Sequence, residues 1–318
     1  DGKGLIKSSI RGDDLFILCD VGNYSCTYNY FGRENSMSPD DHYQDLKRII
    51  QAAGGKAHRI NIIMPSLYGG RQHRRNYRES LDCAVALQEL QTMGVSNILT
   101  FDAHDPRVQN AVPLMGLDNI IPSYQVLKAM FKNLSDFRPD KDHFMIISPD
   151  EGAINRNMYY ASVLGVNLGM FYKRRDYSTI IDGRNPIVAH EYMGNDVAGK
   201  DVFIADDIIS SGESMLDIAV ELKKRKANKI YCYATYPIFT NGLEAFNKAY
   251  ADGIIDGVFG TNLTYRTPEL LSSPWFYEVD CSKYIAYFIA SLNHDKSISQ
   301  VIDPHTKIEA LLKKYGIK

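Results

Sequence analysis

Short runs of apolar, β-favouring residues alternate with amphipathic stretches of helical period along most of this 318-residue chain, and this alternation limits the possible folds more than any other feature. Residues 15–19, 60–64, 97–101, 144–148, 202–205 and 229–235 read as strands. Residues 80–93 and 214–226 read as helices, because apolar side chains recur every three or four positions with charges opposite them. Strands separated by helices are joined by crossover connections, which build a mainly parallel sheet flanked by helices. The expected fold class is therefore α/β.

A chain of this length exceeds one ordinary core. Two stretches, ALQELQTMGVSNILTFDAHD and AVELKKRKANKIYCYATYPI, each run from a helix through a small turn into a strand that ends in polar residues. They recur about 130 residues apart, a period too long for a solenoid. Two related α/β domains account for them, although any two βα units share this outline. The polar segment 135–142 around Pro139 marks the expected boundary, giving domains at 1–138 and 139–303 and a terminal amphipathic helix at 304–318. Residues 22–45 are polar and rich in Tyr and Asn, and they read as a long loop or inserted lobe in which Ser38-Pro39-Asp40 opens a helix.

Composition removes several function classes. Lys and Arg number 36 against 38 Asp and Glu, a net charge of -2, which argues against a nucleic-acid partner. No apolar stretch approaches a membrane span, and the first residues lack a signal-peptide pattern. Five scattered cysteines without a CxxC pair argue against a disulfide framework or a structural zinc site, so reduced thiols in a cytoplasm are expected.

Chemistry concentrates at residues 202–214, VFIADDIISSGES. A buried strand delivers Asp206 and Asp207 to its carboxyl end, and a Ser- and Gly-rich turn then opens a helix. Backbone N–H groups and the hydroxyls of Ser210, Ser211 and Ser214 can converge there on one phosphate. The acids can hold sugar hydroxyls or Mg²⁺. SSGE on its own is an ordinary helix start; two acids at the preceding strand end make it a candidate site. Arg71 and Arg74 lie in a Gly-rich loop after another strand, where a guanidinium can grip phosphate. His104 stands between Asp102 and Asp105, a setting suited to a metal or phosphate contact. Asp150 follows Ser148-Pro149 at a third strand end. Lys173-Arg174-Arg175 leaves a strand into a polar stretch that reaches about Asn195, and a mobile loop there would bring positive charge onto a polyphosphate.

The 202–214 string resembles the phosphoribosyl-diphosphate-binding motif of type I phosphoribosyltransferases. Nearly the whole chain is similar to the ribose-phosphate diphosphokinase family, through MPSLYGGRQHRR, FDAHD, ISPDEGA, YKRR, GNDVAGKDVFIADDIISSGES and YATYPIF in that order. The resemblance implies transfer of diphosphate from MgATP to the C1 hydroxyl of ribose 5-phosphate. It implies that Asp1, Gly2, Lys3, Arg71, Gln72 and His104 bind ATP, that His104 and Asp150 hold Mg²⁺, and that Lys173 and Arg175 are catalytic. Arg175, Asp206, Asp207, Ser210, Ser211, Gly212, Glu213 and Ser214 would bind ribose 5-phosphate. A homo-oligomer with the ATP site between subunits follows from the same resemblance.

Several positions depart from the family pattern. His73 replaces an Asp, Ala153 a Gly, and Lys3 a Glu, while SSGES stands where Asp-Thr-Gly-Gly-Thr is common. Segment 22–45 is longer than in typical members. Asp1-Gly2-Lys3, with no initiator Met, matches the end of a family hairpin, so the first βα unit and its adenine-stacking Phe are expected to lie outside this sequence. Two other activities share the pattern: a phosphoribosyltransferase that consumes phosphoribosyl diphosphate, and a non-catalytic regulatory relative.

Overall fold

The computed structural model describes residues 2–75, 77–175 and 187–317, without the side chains of 173–175 and 187–190. The chain forms two compact units, one comprising Asp1–Pro122, Asn262–Tyr265 and Cys281–Asp303, the other Ser123–Thr261, Arg266–Asp280 and Pro304–Lys318.

In the first unit, β1 (Asp14–Leu18) is followed by an antiparallel hairpin of β2 (Thr27–Tyr30) and β3 (Arg33–Ser36), then by β4 (Arg59–Ile63), β5 (Asn97–Phe101) and β6 (Gly116–Ile120). Strands β1, β4, β5 and β6 pair in that order, all parallel. Side chains alternate across the sheet as the pleat requires. Ile60 and Ile62 join the core formed with helices Pro39–Ala53 and Asp82–Thr92, which includes Leu46, Ile50, Leu87 and Leu90. The opposite face is covered by helix Ser282–Asn293, whose Phe288, Ile289 and Leu292 lie over Phe16, Ile63 and Leu99. Segment 22–45 thus contains a hairpin, and Ser38 caps the next helix in a reciprocal capping box with Asp41.

The second unit holds β7 (Phe144–Ser148), β8 (Asn167–Arg175), β9 (Ile187–Met193), β10 (Asp201–Ile209), β11 (Ile230–Pro237), β12 (Gly257–Thr261) and β13 (Phe276–Val279). Their order is β13-β12-β11-β10-β7-β8-β9, parallel throughout except that β9 runs antiparallel to β8. Every residue of β7, β11 and β12 is buried, as expected of a sheet covered on both faces. Helices Glu213–Lys224 and Glu244–Ala251 pack on one face around Phe246 and Trp275. Rings of Tyr160, Phe203 and Tyr233 pack on the other.

From β7 the chain passes to β8 on one side, and it later returns to β10 on the other. The strand order therefore reverses between β7 and β10. In open α/β sheets, ligands bind at such a reversal, beyond the carboxyl ends of the strands.

The units divide after Pro122 and not within 135–142. Helix Ser123–Asn133 belongs to the second unit because it packs on β13 and on helix His305–Lys314, with Phe131 stacked 4.5 Å from Tyr315. Residues 281–303 belong to the first because Phe288 is buried on its sheet and Tyr284 meets Phe101 edge-on.

Candidate active site

In the second unit, β10 extends past the acids to Ile209, further than the sequence pattern indicates, and pairs with β11 through Asp206↔Ala234. Its pairing with β7 stops at Ile204↔Ile147. Beyond that point the two strands leave a crevice, with Asp206 and Asp207 on one side and the loop holding Asp150 on the other. Asp207 is buried and Asp206 is partly exposed. The Asp207 N–H donates to Asp206 Oδ1 at 2.9 Å. Arg156 Nη1 lies 3.6 Å from Asp206 Oδ1. Burial raises the Asp206 carboxyl well above the usual range, and repulsion from Asp207 adds to this; Arg156 opposes the rise and Asp150 reinforces it.

After Ile209 the chain turns through Ser210 and Ser211 into helix Glu213–Lys224, whose N-cap is Gly212 in the left-handed region at φ 81°. A Cβ at Gly212 would overlap the Phe246 ring, so both conformation and space require glycine there. The turn is held from behind: the N–H groups of Ile238 and Phe239 donate to Ile209 O, and that of Thr240 to Ser210 O. The Glu213 N–H lies 3.5 Å from Ser211 Oγ, and Gly212 has no side chain with which to cap this helix. Its first N–H groups have no intrahelical acceptors and carry the positive end of the helix dipole, which makes an anion site. Ser211 and Gly212 are half-buried, while Glu213 and Ser214 are exposed.

In the first unit, the loop after β4 carries exposed Arg71, Gln72 and Arg74. It folds tightly over the start of helix Asp82–Thr92, where Gly69 has φ 64° and room for no Cβ beside Asp82. The turn after β5 carries an exposed His104. His73 and His104 come together, with ring centroids 5.3 Å apart. Asp102 is buried in a left-handed turn at φ 42°. Asp105 caps the helical turn Pro106–Ala111 and binds Arg107 through both carboxylate oxygens, so its pKa falls to about 2, with His73 Nε2 a further 3.4 Å neighbour. Burial lowers the His73 pKa against the pull of Asp105.

The structure therefore gathers Asp150, Asp206, Asp207 and the 210–214 turn within one unit, and Arg71, Gln72 and His104 within the other. Lys173 and Arg175 continue β8, opposite His190 and Ile187 of β9 with a bulge at 174/175; their side chains are outside the description. Gly2 and Lys3 are exposed, and Asp1 lies outside the described residues. Among the described residues, no three His, Cys, Asp or Glu side chains group tightly enough to hold a metal by themselves. A single carboxylate such as Asp150 suits Mg²⁺, which binds through one or two carboxylates together with substrate phosphates. Sequence reasoning missed Arg156. Its only signal is a cation in the first turn of the helix after the Ser-Pro-Asp strand end.

Residues 3–94 match the N-terminal domain of ribose phosphate pyrophosphokinase, and residues 117–254 match the phosphoribosyl transferase domain. The ribose-phosphate pyrophosphokinase of Shewanella oneidensis is 28% identical over 300 residues, covering 92% of this chain and 85% of the relative. That of Vibrio cholerae is 26% identical over 304 residues, covering 94% and 86%. The crystal structure of phosphoribosylpyrophosphate synthetase from Mycobacterium smegmatis superposes with a TM-score of 0.73 at 21% identity, covering 92% of this chain and 86% of that one, and shares its fold.

Proposed function

The chain belongs to the ribose-phosphate pyrophosphokinase family, and from that premise we propose that it converts ribose 5-phosphate and MgATP into phosphoribosyl diphosphate and AMP. The C1 hydroxyl oxygen attacks the β-phosphorus of ATP. A C1–O–P bond forms, the bond between the β-phosphorus and the α,β-bridging oxygen breaks, AMP leaves, and the hydroxyl proton passes to solvent. Such a transfer asks little covalent chemistry of the protein; positioning and charge neutralisation carry the rate.

The observation that carries this reading is the helix start at Gly212, beside paired acids at the point where the strand order reverses. The 210–214 turn holds the 5-phosphate, and Asp206 and Asp207 hold the ribose hydroxyls. Arg71, Gln72, Gly2 and Lys3 take the nucleotide. Asp150 is the candidate group for the magnesium that arrives with ATP, which would neutralise phosphate charge. Lys173 and Arg175 stabilise charge on the transferred group. The protein works in the cytoplasm as a homo-oligomer whose ATP site lies between subunits. The location is supported by five cysteines without a disulfide and by the lack, among the described residues, of any helix long and apolar enough to cross a membrane.

The test is AMP release from ribose 5-phosphate and MgATP. Failure to form AMP by a protein that still binds ribose 5-phosphate would replace the enzyme reading with that of a non-catalytic relative. Lys173→Ala should lower kcat by about two to four powers of ten with little change in folding stability.

A further inference from the structure

The crevice between β7 and β10 has an identifiable cause. On β10, the backbone groups of Asp201 and, by alternation, of Phe203 and Ala205 face β7; the Asp201 N–H donates to His143 O. With Ile204 opposite Ile147, continued pairing would require residue 149 to donate to the Ala205 carbonyl. Residue 149 is proline and has no N–H. The ladder must end there, and the Ala205 carbonyl needs another donor.

Asn157 supplies it. Its side chain is fully buried on helix Ile154–Leu164. Nδ2 donates to Ala205 O at 2.8 Å and to Ala153 O at 2.8 Å, and Oδ1 accepts from the Ala205 N–H at 3.3 Å. Both amide hydrogens are thereby used, and Ser148 Oγ lies 3.4 Å away. Ser148 in turn donates to Asp150 O at 2.8 Å, and the Ala153 N–H donates to Asp150 Oδ1 at 3.2 Å. One amide thus ties two points that bound the crevice, the backbone just before Asp206 and the far end of the Asp150 loop, and packs against the end of β7 at Ser148.

We infer that Asn157 is a positioning residue of the ribose 5-phosphate site, acting through the Ala205 backbone and the 150–153 loop to hold the Asp150 and Asp206–Asp207 carboxylates at a fixed separation. This rests on the function proposed above. Asn157 touches no substrate, and its effect is geometric: a misplacement of about 1 Å in such a site costs on the order of a hundredfold.

The test compares Asn157→Ala and Asn157→Ser with Val163→Ala, a core truncation in the same helix. Ribose 5-phosphate binding is read by calorimetry, which does not depend on turnover, and wild-type AMP release is measured beside it to judge the enzymatic reading separately. Asn157→Ala should weaken ribose 5-phosphate binding by about tenfold or more and raise its KM in step, and it should raise KM for MgATP too, because Asp150 is also the candidate group for the magnesium. Asn157→Ser, which keeps one hydroxyl donor, should fall between. Val163→Ala should lower Tm without moving either KM. If Asn157→Ala fails to fold, the serine variant alone decides. Wild-type affinity in the asparagine variants, or an equal loss in Val163→Ala, overturns the assignment.

Discussion

Gly212 occupies the most constrained position in the candidate site, because its φ of 81° and the Phe246 ring exclude a side chain independently. Gly212→Ala should cost about 2 kcal/mol or more of stability and abolish calorimetric binding of ribose 5-phosphate, since the turn must open to admit the methyl group. Retained affinity would mean that the phosphate lies elsewhere. Asp206 gives a prediction with a definite sign. Its carboxyl is raised by burial and by Asp207, so the folded state holds a proton that the unfolded chain has released. Its contribution to stability is therefore fully favourable below the ordinary Asp value of about 3.9, and it erodes as the pH rises from there toward the raised value. Asp206→Asn should gain stability relative to wild type across that window and show no such trend below it. Urea midpoints at several pH values read this, and a difference that does not vary with pH would refute it. Among single residues, the acids and the Ser-Gly turn are legible in sequence because they are consecutive. Asn157 is not, because an asparagine in an amphipathic helix acquires meaning only when register puts Pro149 opposite Ala205.

At the scale of elements, the hairpin of β2 and β3 is tied together by a two-residue loop whose residues, Phe31 and Gly32, both have positive φ, at 53° and 70°. This loop geometry favours Asn-Gly, and Phe31 is 92% exposed. Phe31→Asn should therefore stabilise the protein by about 0.5–1 kcal/mol without changing activity, as judged by chemical denaturation and AMP release. A loss of stability would mean that the ring is held by contacts outside this chain. The main parallel strands and the helices that follow them were readable because their apolar periods are clean. The hairpin was not, because TYNY and RENS are exposed on nearly every residue and carry no two-residue alternation of burial. Asp105 pairs with Arg107 two residues later, a contact that the strand-end pattern does not announce.

For the whole molecule, the two units should answer to different ligands. Ribose 5-phosphate alone should slow amide hydrogen exchange in residues 150–157 and 205–215 and leave 64–75 and 102–107 unchanged, because the helix start and paired acids proposed to hold it lie in the second unit. Protection confined to the first unit would reverse the assignment. The sequence shows two α/β halves but misplaces their boundary, because membership of residues 281–303 depends on Phe288 and Tyr284 meeting strands nearly two hundred residues or more earlier, which no local pattern reports. That interleaving also has a consequence in time. The first unit is built from Asp1–Pro122 but is completed only by Cys281–Asp303, and the second is closed by Pro304–Lys318. At about 5–20 residues per second of synthesis, a sheet assembled early waits on the order of 10 to 40 s for the helix that covers its second face. During that interval Ile63, Leu99 and their neighbours lack the cover of Phe288 and Leu292, so apolar strand surface stays open to chaperones until residues 281–303 have been made.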